Sequence, residues 1–141
     1  MKAAIRRSAV NSFAMNQFQK HFTLEEARAL LPELRSLFQD AHRRRDAVQK
    51  IDAELGERLQ RTGADAGGKE VSVLLLDMLQ LNRQLRRLQE MGLQIKDFDR
   101  GLVDFPHLRD GREVFLCWEL NEDDIEFWHD IDDGFAGREK L

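Results

Sequence analysis

Residues 101–138 read GLVDFPHLRDGREVFLCWELNEDDIEFWHDIDDGFAGR, and the period of this stretch decides the fold. LVDF, EVFLCWEL and DIEFWHDI follow the two-residue period of strands with one buried face, as does LQIKDF just upstream. Breaks fall at Asp99-Arg100-Gly101, from Pro106 to Gly111 and from Asn121 to Asp124, which predicts three or four short antiparallel strands. So small a sheet is marginal alone, so one face is expected to lie on a helical hairpin upstream. Both tryptophans, the single cysteine and two of the four histidines lie in this stretch. Any specific site is expected there.

Upstream the period is helical. Thr23-Leu24-Glu25-Glu26 forms a capping box, in which the Thr23 hydroxyl accepts the amide of Glu26 and the Glu26 carboxylate reaches back. A helix therefore starts near Leu24, and Pro32 in its third turn is expected to kink or restart it. Leu34, Phe38, Ala41, Val48, Leu55 and Leu59 then step by threes and fours, with breaks at Arg45 and Asp52. TGADAGGK at 62–69 is a turn. Val71, Leu74, Met78, Leu81, Leu85 and Leu88 form a second stripe, widened by Leu75 and Leu79. So short a connection makes the helices antiparallel neighbours at a shallow, coiled-coil-like angle. The reading is α+β: a long antiparallel helical hairpin, residues 24–91, followed by a small three- or four-stranded antiparallel sheet and tail, residues 92–141. Residues 1–21 carry no acid and no clear period and are expected to form a poorly ordered arm outside the single domain 22–141.

Composition narrows the function classes. One cysteine permits no internal disulfide, and no apolar run approaches a membrane span, so a cytoplasmic protein is expected. Residues 1–90 hold 16 Lys and Arg against 12 Asp and Glu, whereas residues 91–141 hold 6 against 14. So acidic a C-terminal half argues against wrapping nucleic acid as the main task. Phosphate-binding loops and the CxxC, HExxH and GxSxG motifs are absent, which removes motif support for nucleotide-dependent chemistry and the common hydrolases and leaves the cofactor unknown.

IKD…GLVDFP, GREVFLCW, the WH pair and GFAGR, with the opening FTLEEARALLPEL, resemble a family of small bacterial and archaeal proteins catalogued only as a domain of unknown function. The likeness covers about residues 22–141. The family's Gly-Glu turn after the third strand stands here as Asn121-Glu122; asparagine can take the left-handed conformation that glycine would supply. The resemblance implies a fold and a candidate patch and carries no activity.

Parity sorts the candidate residues. If NEDD closes a hairpin with an even loop, Trp118 opposes Phe127, Leu116 opposes His129 and Cys117 opposes Trp128. Val114, Leu116, Trp118, Phe127 and His129 then share the core face, with Phe115, Cys117 and Trp128 on the other. That separates Cys117 from His129 and counts against a shared metal site or a Cys–His catalytic pair; an odd loop reverses the conclusion. Cys117 reads most simply as a small buried hydrophobe, and His129 as a histidine tied to a backbone carbonyl or an Asp. Asp104, between apolar neighbours, needs a partner if buried, and Arg138 or Arg112 is expected to supply it. Eight acids between Glu119 and Asp133 read as a solvated edge, although they could attract a divalent cation. Arg43-Arg44-Arg45 reads as a solvent face.

These residues support two expectations. One is a non-enzymatic interaction protein, homodimeric or of higher order through its helices. The other is an enzyme or small-ligand or metal-binding protein with a patch at Asp104, Arg112, Trp118, Trp128, His129 and Arg138.

Overall fold

The computed structural model describes residues 16–62 and 68–141. Two helices, α1 (Leu24–Thr62) and α2 (Gly68–Glu90), precede five strands: β1 (Gln94–Asp97), β2 (Leu102–Arg109), β3 (Arg112–Trp118), β4 (Phe127–Asp130) and β5 (Glu139–Lys140). The strands form one antiparallel sheet in chain order, one strand more than the sequence period suggests. The described residues up to Pro32, with Gly92–Leu141, make one compact unit; Glu33–Met91 make a second.

In the helical unit, ion pairs and hydrogen bonds fix the antiparallel hairpin. Arg87 meets Glu33, Gln84 meets Asp40 and Arg44 meets Asp77, so partners on α2 descend as those on α1 rise. The Gln84 bond holds the Asp40 carboxyl below its usual range, with Arg44 and Arg43 adding to it against a smaller opposing effect of burial. Leu34, Phe38, Ala41, Leu55 and Leu88 are buried. The α2 stripe is covered at its C-terminal end and open near its start, where Val71, Leu75, Met78 and Leu79 are 42–56% exposed, and Val73 and Leu76, off the stripe, are exposed as well. α1 passes Pro32 as one helix rather than restarting. The turn expected at 62–69 falls mainly on residues 63–67, outside the described residues.

In the sheet unit, the capping box forms as read: Glu26 N donates to Thr23 Oγ1 at 3.1 Å. β2 and β3 are joined by Asp110-Gly111 alone, with Arg109 opposite Arg112. Both turn residues have positive φ, 52° and 76°, the two-residue hairpin that Asp-Gly favours. β2 therefore runs through Pro106, where the sequence suggested a break. The Pro106 carbonyl accepts the Phe22 amide at 2.7 Å. In an antiparallel ladder a residue's N and O face the same side, so the missing N–H points toward the 16–22 segment and costs no β3 bond. That segment is clasped by the Glu113 carboxylate, which accepts from Gln17 N at 2.7 Å and Phe18 N at 3.1 Å and pairs with His21 Nε2 at 2.8 Å. Burial pulls the Glu113 carboxyl up, but His21 and the two amides together hold it below its usual range. Residues 1–15 of the arm lie outside the described residues.

The β3–β4 connection overturns the expected parity. Cys117 pairs with Phe127, Leu116 with Trp128 and Phe115 with His129. Nine residues, an odd number, separate Cys117 from Phe127. The tight turn is not NEDD. It spans 119–122, where Glu122 N donates to Glu119 O at 2.8 Å, the Glu122 carboxylate takes Glu119 N at 3.0 Å, and Trp118 Nε1 donates to Glu122 O at 3.0 Å. Asn121 does not supply a left-handed turn; among described non-glycine residues only Asp110 has positive φ. Every face assignment on β4 is thereby reversed. Trp118 and Trp128 share a face with Val103, Phe105, Val114 and Leu116, and all six are buried. Cys117, Phe115, Phe127 and His129 share the other.

Candidate functional site

The second face of the sheet brings together three chemically different side chains. Asp104 on β2 lies directly opposite Cys117 on β3, and His129 on β4 stands two residues beyond Phe127, the partner of Cys117. Asp104, Cys117 and His129 are 2%, 1% and 2% exposed. One donor atom from each lies within 4.8 Å of the others. His129 Nε2 is 3.0 Å from both oxygens of Asp104, and Nδ1 is 2.8 Å from the carbonyl of Asp130. A carbonyl can only accept, so Nδ1 carries its hydrogen and Nε2 faces the carboxylate. The His129 ring packs on Phe115 at 5.4 Å, which fixes its plane.

The tail closes over this cluster. After β4 the chain turns at Asp130–Asp133 and enters a 3₁₀ turn, Phe135–Gly137. A Cβ on Gly137 would sit 2.8 Å from the Cβ of Asp133, so only glycine lets the two segments approach without a shift. Arg138 stacks on Phe127 and Phe135 at 4.1 and 3.9 Å, and Arg100 lies over Phe135 at 4.3 Å. β5 then pairs with β4, and Leu141 N donates to Glu126 O. Between tail and sheet lies a cavity of about 130 Å³ lined by Asp104, Cys117 and His129 with Lys96, Leu102, Asp133, Gly134 and Phe135. Lys96 is held 4.9 Å above the Phe115 ring.

The candidate residues read from sequence divide. Asp104 and His129 meet, so the partner of Asp104 is His129 rather than an arginine. Arg138 pairs instead with Glu122 at 2.7 Å. Arg112 pairs with Asp130 at 3.1 Å, with 63% of its side chain exposed, away from the cluster. Trp118 and Trp128 belong to the opposite face. Cys117, set aside under the even loop, is part of the cluster. Lys96, Asp133 and Phe135 were missed as lining residues, since only the path of the tail brings 133–135 over the sheet.

The family model of uncharacterized conserved proteins, DUF2203, matches residues 20–141. The chain belongs to this family. No curated protein and no solved structure matches it. The match takes in the whole site of this DUF2203 chain, from Lys96 on β1 to Arg138 in the tail. Among its described residues no helix is long and apolar enough to cross a membrane.

The electrostatics of the cluster give one test. Burial pushes the Cys117 thiol up to about 12, the charge and hydrogen bond of Asp104 act in the same direction, and Arg138 opposes them. An unfolded thiol ionises near about 8.5. Between these values the folded chain holds a proton that the unfolded chain has lost, so stability contributed at Cys117 falls as pH rises. Denaturation at pH 7.5 and pH 10 will show a larger alkaline loss for the parent than for Cys117→Ala. Equal losses would contradict the assignment.

Proposed function

We propose that the protein binds a small ligand at the pocket between the β2–β4 face and the tail. The observation that supports this most is the convergence of an acid, a thiol and an imidazole, all buried, beside one cavity. Burying such groups costs stability, and apolar side chains of similar volume would serve a purely structural core as well or better. A cavity of about 130 Å³ is well below the size of pockets for drug-sized ligands and holds about four waters' volume. The ligand is therefore an ion or a molecule of a few heavy atoms. A thermal-shift panel of divalent ions, small oxyanions, short carboxylates and small amines tests it. At least one class will raise the melting temperature with concentration, as mass action requires, and the gain will be lost in Asp104→Asn. A panel in which no class stabilises the parent would contradict the proposal.

Self-association is a second reading, favoured by the open apolar stripe of α2. Val71, Leu75, Met78 and Leu79 share one helix face and stand 42–56% exposed, and identical helix faces can cover each other across a two-fold axis. In sedimentation the parent is expected as a dimer or higher oligomer, and Leu75→Glu with Leu79→Glu is expected to shift it to monomer. A parent that is monomeric at every concentration would rule this reading out.

A further inference from the structure

We infer that Asp104, Cys117 and His129 are the protein ligands of one divalent ion of the zinc class, with a further coordination position open toward the cavity. The inference rests on the reading of this pocket as a ligand site and names the ligand's class.

The donor set selects the ion. Calcium and magnesium take oxygen ligands, whereas a sulfur, an imidazole nitrogen and one carboxylate oxygen suit zinc and its borderline-soft neighbours. Three protein ligands beside a cavity form the donor set of a site that keeps a place for water or substrate; closed structural sites use four, mostly sulfur and nitrogen.

The geometry is close to what the ion needs. Around a tetrahedral zinc, with bonds of roughly 2.0–2.3 Å, ligand atoms lie roughly 3.4–3.6 Å apart. His129 Nε2 and the Asp104 oxygens are 3.0 Å apart, and the donor atoms of all three residues lie within 4.8 Å of one another. Small side-chain rotations cover the difference, while the backbone positions are fixed by three adjacent strands. His129 is also oriented as metal-bound histidines are. One ring nitrogen donates to a backbone carbonyl, here that of Asp130 at 2.8 Å, and the other faces the remaining donors. A buried Asp–His pair needs no thiol, and the register need not have placed Cys117 directly opposite Asp104. Binding displaces the hydrogen of the thiol, as metals do at such ligands. Of the charged residues around the cluster, Asp133 favours a cation, whereas Lys96 and Arg138, whose guanidinium reaches the Cys117 thiol, oppose one.

The test uses the full chain purified without chelator. Mass spectrometry is expected to find one equivalent of a zinc-class ion, or the stripped protein to take up one equivalent of zinc or cobalt(II). Cobalt(II) will give thiolate-to-metal absorption in the near ultraviolet and the visible bands of a low-coordinate ion. Cys117→Ala removes little volume, so its circular dichroism is expected to match the parent. It will lose the thiolate band and bind more weakly by well over about 100-fold, beyond the roughly 10–100-fold that loss of an outer-shell partner costs, and His129→Gln will weaken binding comparably. A parent that binds neither ion stoichiometrically, or one that binds cobalt(II) without a thiolate band, overturns the inference. If a non-metal class in the thermal-shift panel still stabilises such a parent, the pocket reading stands and the ion alone is wrong. If nothing does, both fall.

Discussion

Replacing Trp118 by alanine is expected to cost about 3–5 kcal/mol, the range for a large aromatic removed from a packed core. Trp118 is fully buried and is the largest such side chain in the chain. It sits on the sheet face shared by Val103, Phe105, Val114, Leu116 and Trp128, and its Nε1 closes the 119–122 turn through Glu122 O. The variant therefore loses apolar contact and the bond that pins the loop setting the β3–β4 register. For a chain of this size the loss corresponds to a melting temperature lower by on the order of 10–20 °C. Trp118→Phe, which keeps much of the volume, will lose less. Trp128 shares this face and is 8% exposed, with Arg109 stacked 4.4 Å over its ring. Trp128→Ala is thus expected to act on stability. A Trp118→Ala protein melting with the parent would contradict the packing described.

His129→Leu is expected to cost a similar amount, about 3–5 kcal/mol, for a different reason. Its volume is close to that of histidine, so little cavity is made. What is lost is the ring nitrogen that meets both oxygens of Asp104, which remains 2% exposed with the weak thiol of Cys117 as its neighbour. Removing one member of a buried pair leaves the other desolvated, and this asymmetry exceeds the net worth of the pair. The double variant Asp104→Leu with His129→Leu removes both polar groups and will recover much of the stability while binding no ligand. Chemical denaturation of the three proteins measures it. A double variant no more stable than His129→Leu would show that the cost lies in packing rather than in the stranded acid.

The parts of the fold legible in sequence were those written in local chemistry. The Thr23–Glu26 box fixed the start of α1, and the change of period at Gly92 separated helices from strands. The fifth strand has only two residues, Glu139 and Lys140, too few to show a period. The break expected at Pro106 reflected a general rule against proline in strands. The rule yields here because the missing N–H faces the 16–22 segment. The candidate site failed at a single parity. NEDD looked like a hairpin tip, but Trp118 and Glu122 close the turn two residues earlier and leave an odd loop. One residue of slip moves Cys117 from beside Trp128 to beside Phe127 and turns His129 toward Asp104. An expected arginine partner for Asp104 was wrong for the same reason, since His129 had been assigned to the other face.

The register of β3 against β4 carries the whole account, and nuclear Overhauser contacts in the labelled protein measure it directly. The expected pattern is backbone contact between Phe115 and His129 and between Cys117 and Phe127, with the side chains of Cys117 and His129 both close to Asp104. Contacts pairing Cys117 with Trp128 and Leu116 with His129 would place the thiol and the imidazole on opposite faces, and the site would not exist.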